Sequence, residues 1–167
     1  MAGPTLYDQL RLMLPGLVAL LLLLVSALPM AVLDVALTPH VVWLMTLCFA
    51  SIYPPTWPVT LAFMLGLLSD FLYGTPLGSQ ALLTLFATLF LHAQARRTSH
   101  QLFHLRWFEA VLTLAVLHTL LWLLVGFVVE FRPPVKQMAL GALVSAFWYP
   151  VFFLGAQGIL RLLPARG

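Results

Sequence analysis

Gly66-Leu67-Leu68-Ser69-Asp70-Phe71-Leu72-Tyr73-Gly74-Thr75-Pro76-Leu77-Gly78 sets one carboxylate inside an otherwise apolar stretch that closes on a turn. An acid at membrane depth is costly: insertion scales charge about 2.5–3.5 kcal/mol for Asp at a helix centre. A chain that keeps one there usually has a partner for it. Asp70 follows Gly66 by one helical turn and precedes Gly74 by another, so the three stack on one face. Glycines at this spacing let a second backbone approach closely, as small-xxx-small surfaces do. A hydroxyl, a backbone N–H or a cation of a neighbouring helix can then satisfy the carboxylate. Two alternatives stay open: contact with a partner protein or ligand, and proton or ion translocation. No second acid lies in the same apolar segment to support proton chemistry. The reading adopted is a polar pin in a close helix contact.

Composition places the whole chain in the same setting. Of 167 residues, 62% are hydrophobic and 8% charged, and mean hydropathy is +1.03. Soluble domains carry about 25% charged residues. A chain of this size cannot hide so much apolar surface from water, so a polytopic membrane protein is expected. The net charge of +3 does not point to nucleic acid, because the eight Lys and Arg sit at the ends of apolar segments, where they set orientation. The single cysteine, Cys48, is expected to be a small buried hydrophobe. The apolar run 12–33 is longer than the roughly 7–15 residues of a signal-peptide core, which predicts a retained first span.

Six apolar segments follow one another, at about 12–33, 39–53, 57–73, 77–95, 107–129 and 138–160. They predict an all-α protein with six transmembrane helices in one compact bundle, a single multi-pass domain. The first covers about 33 Å, enough for a hydrocarbon core of about 30 Å. The second and third are shorter, and Pro54, Pro55 and Pro58 separate them with a turn that no helix continues through. This hairpin either crosses thinly or is re-entrant. Thr38-Pro39 gives the second segment a cap and a first-turn proline. Pro15, Pro29 and Pro150 predict kinks. With the N-terminus inside, Arg11, Arg96, Arg97, Arg106, Arg161 and Arg166 collect on the cytoplasmic side, against Arg132 and Lys136 outside. Both termini are then cytoplasmic, and Asp70 lies near the outer end of its segment.

The remaining polar groups read mostly as structure. His118, in the middle of the fifth segment, is either a proton relay or, in the reading adopted, a neutral imidazole bonded to a neighbouring helix. His92, His100 and His104 do not have zinc-motif spacing. Glu109 is expected to pair with Arg106. Ala27 with Ala31, and Gly141 with Ser145, are further small pairs suited to helix contact. The basic stretch 96–106 can meet a filament or anionic headgroups, or serve topology alone. No nucleophile elbow, His-Glu-x-x-His, P-loop or paired acids are present. No enzyme, metal site or cofactor is expected.

These residues, taken in order, resemble the MreD family of rod-shape-determining inner-membrane proteins of bacteria. Thr38-Pro39 and the Tyr53–Pro58 turn stand where that family opens its second span and turns. Gly66, Asp70, Gly74 and Gly78, with Pro76 between the last two, match its G-x-x-x-D-x-x-x-G-x-x-x-G core. Phe131-Arg132-Pro133 and Trp148-Tyr149-Pro150 match further on. The resemblance implies a fold similar to the substrate-binding subunit of energy-coupling-factor transporters. It implies a non-enzymatic scaffold in the machinery that elongates the side wall and maintains rod shape. Expected partners are an MreC-like bitopic periplasmic protein, MreB-like actin filaments and the RodA–penicillin-binding-protein synthase. The family brings no catalytic residues. The alternative is the substrate-binding membrane subunit of a vitamin transporter, which the scarcity of polar residues to line a pocket disfavours.

Overall fold

A computed structural model describes residues 6–27, 39–95, 103–129 and 134–161, with side chains from Met13 onward. The described chain forms six α-helices and no strand: α1 (Leu6–Ala27), α2 (Val41–Ile52), α3 (Val59–Tyr73), α4 (Ser79–Ala95), α5 (Phe103–Val128) and α6 (Val135–Arg161). A one-turn 3₁₀ helix, Pro54–Thr56, joins α2 to α3. The prolines dictate this joint. Tyr53 N–H closes α2 on the Phe49 carbonyl at 2.9 Å, and Pro54 and Pro55 have no N–H with which to continue. Thr56 and Trp57 then bond back to Tyr53 and Pro54, both at 3.0 Å, before α3 starts beyond Pro58.

Pro15 and Pro150 lie inside α1 and α6, and both helices continue through them. Pro29 lies outside the described residues. Helices α5 and α6 begin a few residues before their apolar segments, at Phe103 and Val135, so that Arg106 and Lys136 fall inside their first turns. With 26 and 27 residues, these two are long and apolar enough to cross a membrane. They rise about 39 and 40 Å. Helices α2 and α3 have 12 and 15 residues, or about 18 and 22 Å of rise.

Helix α2 is the hub. All ten residues from Val41 to Ala50 are buried, so it is covered on every side rather than along one stripe. It touches α1, α3, α4 and α6. Helix α3 packs most extensively on α4, and α5 on α6. The exterior is apolar: Phe71, Phe86, Phe127, Phe147 and Leu154 are all more than half exposed. A surface of that kind suits hydrocarbon rather than water.

Candidate functional site: the Asp70 cradle

Helix α3 ends where Gly74 adopts φ of 64°, a left-handed cap that side-chain-bearing residues resist. The N–H groups of Gly74 and Thr75 both return to the Asp70 carbonyl, the latter at 3.1 Å. A short turn follows, in which Ser79 N–H bonds Pro76 O at 3.0 Å and Gly78 takes φ of 94°. Helix α4 starts there and runs back along α3.

The turn places the open N-terminus of α4 directly over the Asp70 side chain, which is fully buried. Oδ1 accepts from Thr75 Oγ1 at 2.6 Å, Gln80 N–H at 2.9 Å and Ser79 Oγ at 3.0 Å. Oδ2 accepts from Gly78 N–H at 2.9 Å and Ala81 N–H at 3.3 Å. Every one of these groups is a donor. The first N–H groups of a helix have no partner within it and carry the positive end of its dipole. Here a carboxylate from the preceding helix supplies what a local cap residue normally supplies. Gln80 Nε2 adds a bond to Thr75 Oγ1 at 3.2 Å, tying the turn to the helix it precedes.

Gly66 makes the approach possible. A Cβ there would sit 2.6 Å from Ala81 Cα and 3.1 Å from the Gln80 carbonyl oxygen, so only glycine lets the backbones meet. Gly74 does not share this duty. A Cβ at Gly74 would meet nothing within 4 Å, so the stacked-face reading is corrected for this residue. It is needed for its positive φ, not for contact. Gly78 likewise has open space, and contributes its φ and its N–H. Pro76 contributes its carbonyl, which also accepts from Ser79 Oγ at 2.6 Å. Thr75, Ser79 and Gln80 were not singled out from the sequence. The signal was present, since a turn ending in Gly-Ser-Gln leads into an apolar run.

A second polar cluster joins α2, α5 and α6. His118 on α5 is 4% exposed, and its Nδ1 lies 2.8 Å from the Leu114 carbonyl. Its ring packs edge-on against Trp43, with centroids 4.9 Å apart, and against His40, at 4.7 Å. His40 stacks on Trp43 at 4.6 Å. Gly141 on α6 lies alongside His118, and Ser145 Oγ accepts His40 N–H at 3.2 Å. The small pair on α6 therefore lies against the His118 ring and the His40 backbone. The sequence reading placed His118, Gly141 and Ser145 at helix contacts and did not single out His40; the bond expected from His118 to a neighbouring helix is corrected, because its Nδ1 faces the Leu114 carbonyl of its own helix. Tyr73 extends the cluster to α1 through Ser26, at 3.0 Å. Ala27 is the last residue of α1 and half-buried; Ala31 lies outside the described residues.

On the other side of the bundle, Gln94 Nε2 donates to Glu109 Oε1 at 3.3 Å, and both line a small cleft with Arg106 and Tyr149. Among the described residues, no group of three or more His, Cys, Asp or Glu can hold a metal ion. Residues 96–102 of the basic stretch are outside the described residues.

A family model described as rod shape-determining protein MreD matches residues 8–157. The chain belongs to this family. No curated protein and no solved structure matches it. The MreD match takes in both the Asp70 cradle and the histidine cluster. It makes the chain a rod-shape-determining membrane protein, of a family that is structural rather than known as enzymatic. The two long apolar helices α5 and α6 agree with that setting.

Proposed function

We propose that this MreD-family chain is a non-enzymatic, multi-pass scaffold in the bacterial inner membrane. It serves the elongation machinery by holding an MreC-like bitopic periplasmic protein, with links to MreB-like filaments inside and the RodA–penicillin-binding-protein synthase. The observation that carries this reading is the family match over residues 8–157. The Asp70 geometry supports it. An acid with no exposed surface and five donors already committed to it is built to fix two helices, not to exchange protons. Gly66, Asp70, Gly74, Pro76 and Gly78 thus serve as a structural motif that shapes the contact faces of the bundle. In this reading the six helices all cross, both termini are cytoplasmic and the Asp70 cradle lies near the outer surface. The expected likeness to the substrate-binding subunit of energy-coupling-factor transporters rests on the family resemblance.

The test is purification from native membranes in mild detergent after brief crosslinking. A stoichiometric bitopic protein with a periplasmic domain is the expected companion. Recovery of the chain free of any such protein, at native expression, contradicts the scaffold reading.

A further inference from the structure

Two hollows in the flank of the bundle meet at the same three side chains. One is the small polar cleft that Arg106 and Tyr149 line, and the other is an apolar groove of about 380 Å³ between α4 and α5. Gln94, Glu109 and Thr113 line both. Ala87 and Leu117, both buried, form the floor of the groove. Its sides are Phe86 and Phe90 on α4 and Leu112, Val116 and Leu120 on α5, all of them exposed. From Glu109 to Leu120, α5 rises about 16 Å. The groove therefore leads away from a polar end along an apolar wall. A site of that form takes an amphiphile.

The cleft favours a cation with N–H groups. Glu109 is half-buried, and Gln94 Nε2 takes one of the roughly four acceptor positions that a carboxylate offers. Thr113 Oγ1 donates to the Glu109 carbonyl at 2.8 Å, and Ser51 Oγ donates to the Leu47 carbonyl. Both hydroxyl hydrogens are spent within their own helices, so the two oxygens are left as acceptors. The cleft measures about 30 Å³, and a single water needs about 10–15 Å³, so it admits a primary ammonium. Arg106, three residues before Glu109 on α5, lines the same cleft and supplies a positive charge for a phosphate. We propose that this site holds one phosphatidylethanolamine molecule. Its ammonium sits in the cleft against Glu109, its phosphate turns to Arg106, and an acyl chain lies along the α4–α5 groove. A choline headgroup has no N–H to donate, and its three methyls exceed the cleft. A glycerol headgroup brings no cation to Glu109.

The test adds dioleoyl phosphatidylethanolamine, phosphatidylcholine or phosphatidylglycerol to the delipidated full chain in detergent and counts bound lipid by native mass spectrometry. Phosphatidylethanolamine should bind about tenfold more tightly than either of the others, the difference that one charge-assisted hydrogen bond makes. Glu109→Gln keeps an acceptor for Gln94 but loses the charge, and should bring phosphatidylethanolamine level with phosphatidylcholine. Val116→Trp fills the groove from an exposed position and should weaken all three lipids without lowering the melting midpoint. Equal binding of the three lipids by the native chain overturns the proposal, as does tightest binding of phosphatidylglycerol or a Glu109→Gln variant that keeps the preference. A photo-crosslinking residue in place of Val116 should form its adduct with phospholipid in native membranes. An adduct with a protein instead gives the groove to a partner helix and overturns the proposal.

Discussion

Replacing Asp70 by leucine removes the group on which the N-terminus of α4 rests. The backbone N–H groups of Gly78, Gln80 and Ala81 lose their acceptor. Ser79 Oγ–H fares better, because it can still donate to the Pro76 carbonyl, whereas Thr75 keeps only the bond it accepts from Gln80 Nε2 and its own O–H loses its acceptor. Three stranded N–H groups at about 1–3 kcal/mol each give a gross loss of about 3–9 kcal/mol. Part is offset, because the burial penalty of the carboxylate disappears with it. The net expectation is about 3–5 kcal/mol, the range found when one member of a buried charged pair is deleted. For a chain of this size that lowers the melting midpoint by roughly 6–20 °C. Asp70→Asn keeps one acceptor oxygen but turns an NH₂ toward donors, so it should fall between native and Asp70→Leu. The assay is thermal unfolding of detergent-purified protein by intrinsic fluorescence, with the surviving monodisperse fraction as a second readout. A leucine variant that melts with the native protein would refute the claim that Asp70 holds α3 to α4.

Gly66→Ala should cost about 1–3 kcal/mol, and Ala81→Gly should not rescue it, because the clash is with Ala81 backbone atoms; thermal midpoints of the single and double variants decide this. Gly74→Ala should lose about 1–2 kcal/mol at a φ of 64°, and Gly74→Asn less, since asparagine enters the left-handed region more easily. Ser145→Ala removes the acceptor of His40 N–H and should cost about 1 kcal/mol by the same measurement. For the α2–α3 hairpin, Pro55 is exposed at the turn, whereas Thr56 is buried. In a six-crossing topology Pro55→Cys resists a membrane-impermeant thiol reagent in intact cells and reacts once the cells are opened; labelling from outside contradicts the full crossing.

The cradle was half legible in the sequence. A lone acid flanked by glycines at helical spacing announces a close helix contact, and the turn residues Gly74–Gly78 announce where the chain reverses. What the spacing does not encode is that the same turn swings α4 around so that its own first N–H groups become the acid's partners. That depends on the positive φ values at Gly74 and Gly78 acting together. For the same reason Gly74 looked like a contact residue: periodicity places it on the Gly66 face, but the helix ends there. The histidine cluster was less legible. Gly141 and Ser145 signalled a close approach, but the groups approaching them, His118 and His40, come from helices distant in sequence. Helix α2 is apolar almost throughout, so no stripe in its sequence marks it as the hub. The helix starts at Phe103 and Val135 were missed because Arg106 and Lys136 interrupt the apolar run that hydropathy registers, while a charged residue continues a helix without changing its hydrogen bonding.

Cell width and length after depletion test the central claim most directly, with the depleted strain complemented by the native chain or by Asp70→Leu at matched expression. Depletion should turn rods into widening spheres. The native chain should restore the rods, and Asp70→Leu should fail to do so. Rods that keep their width through many generations without the chain would contradict the shape-determining scaffold at its root.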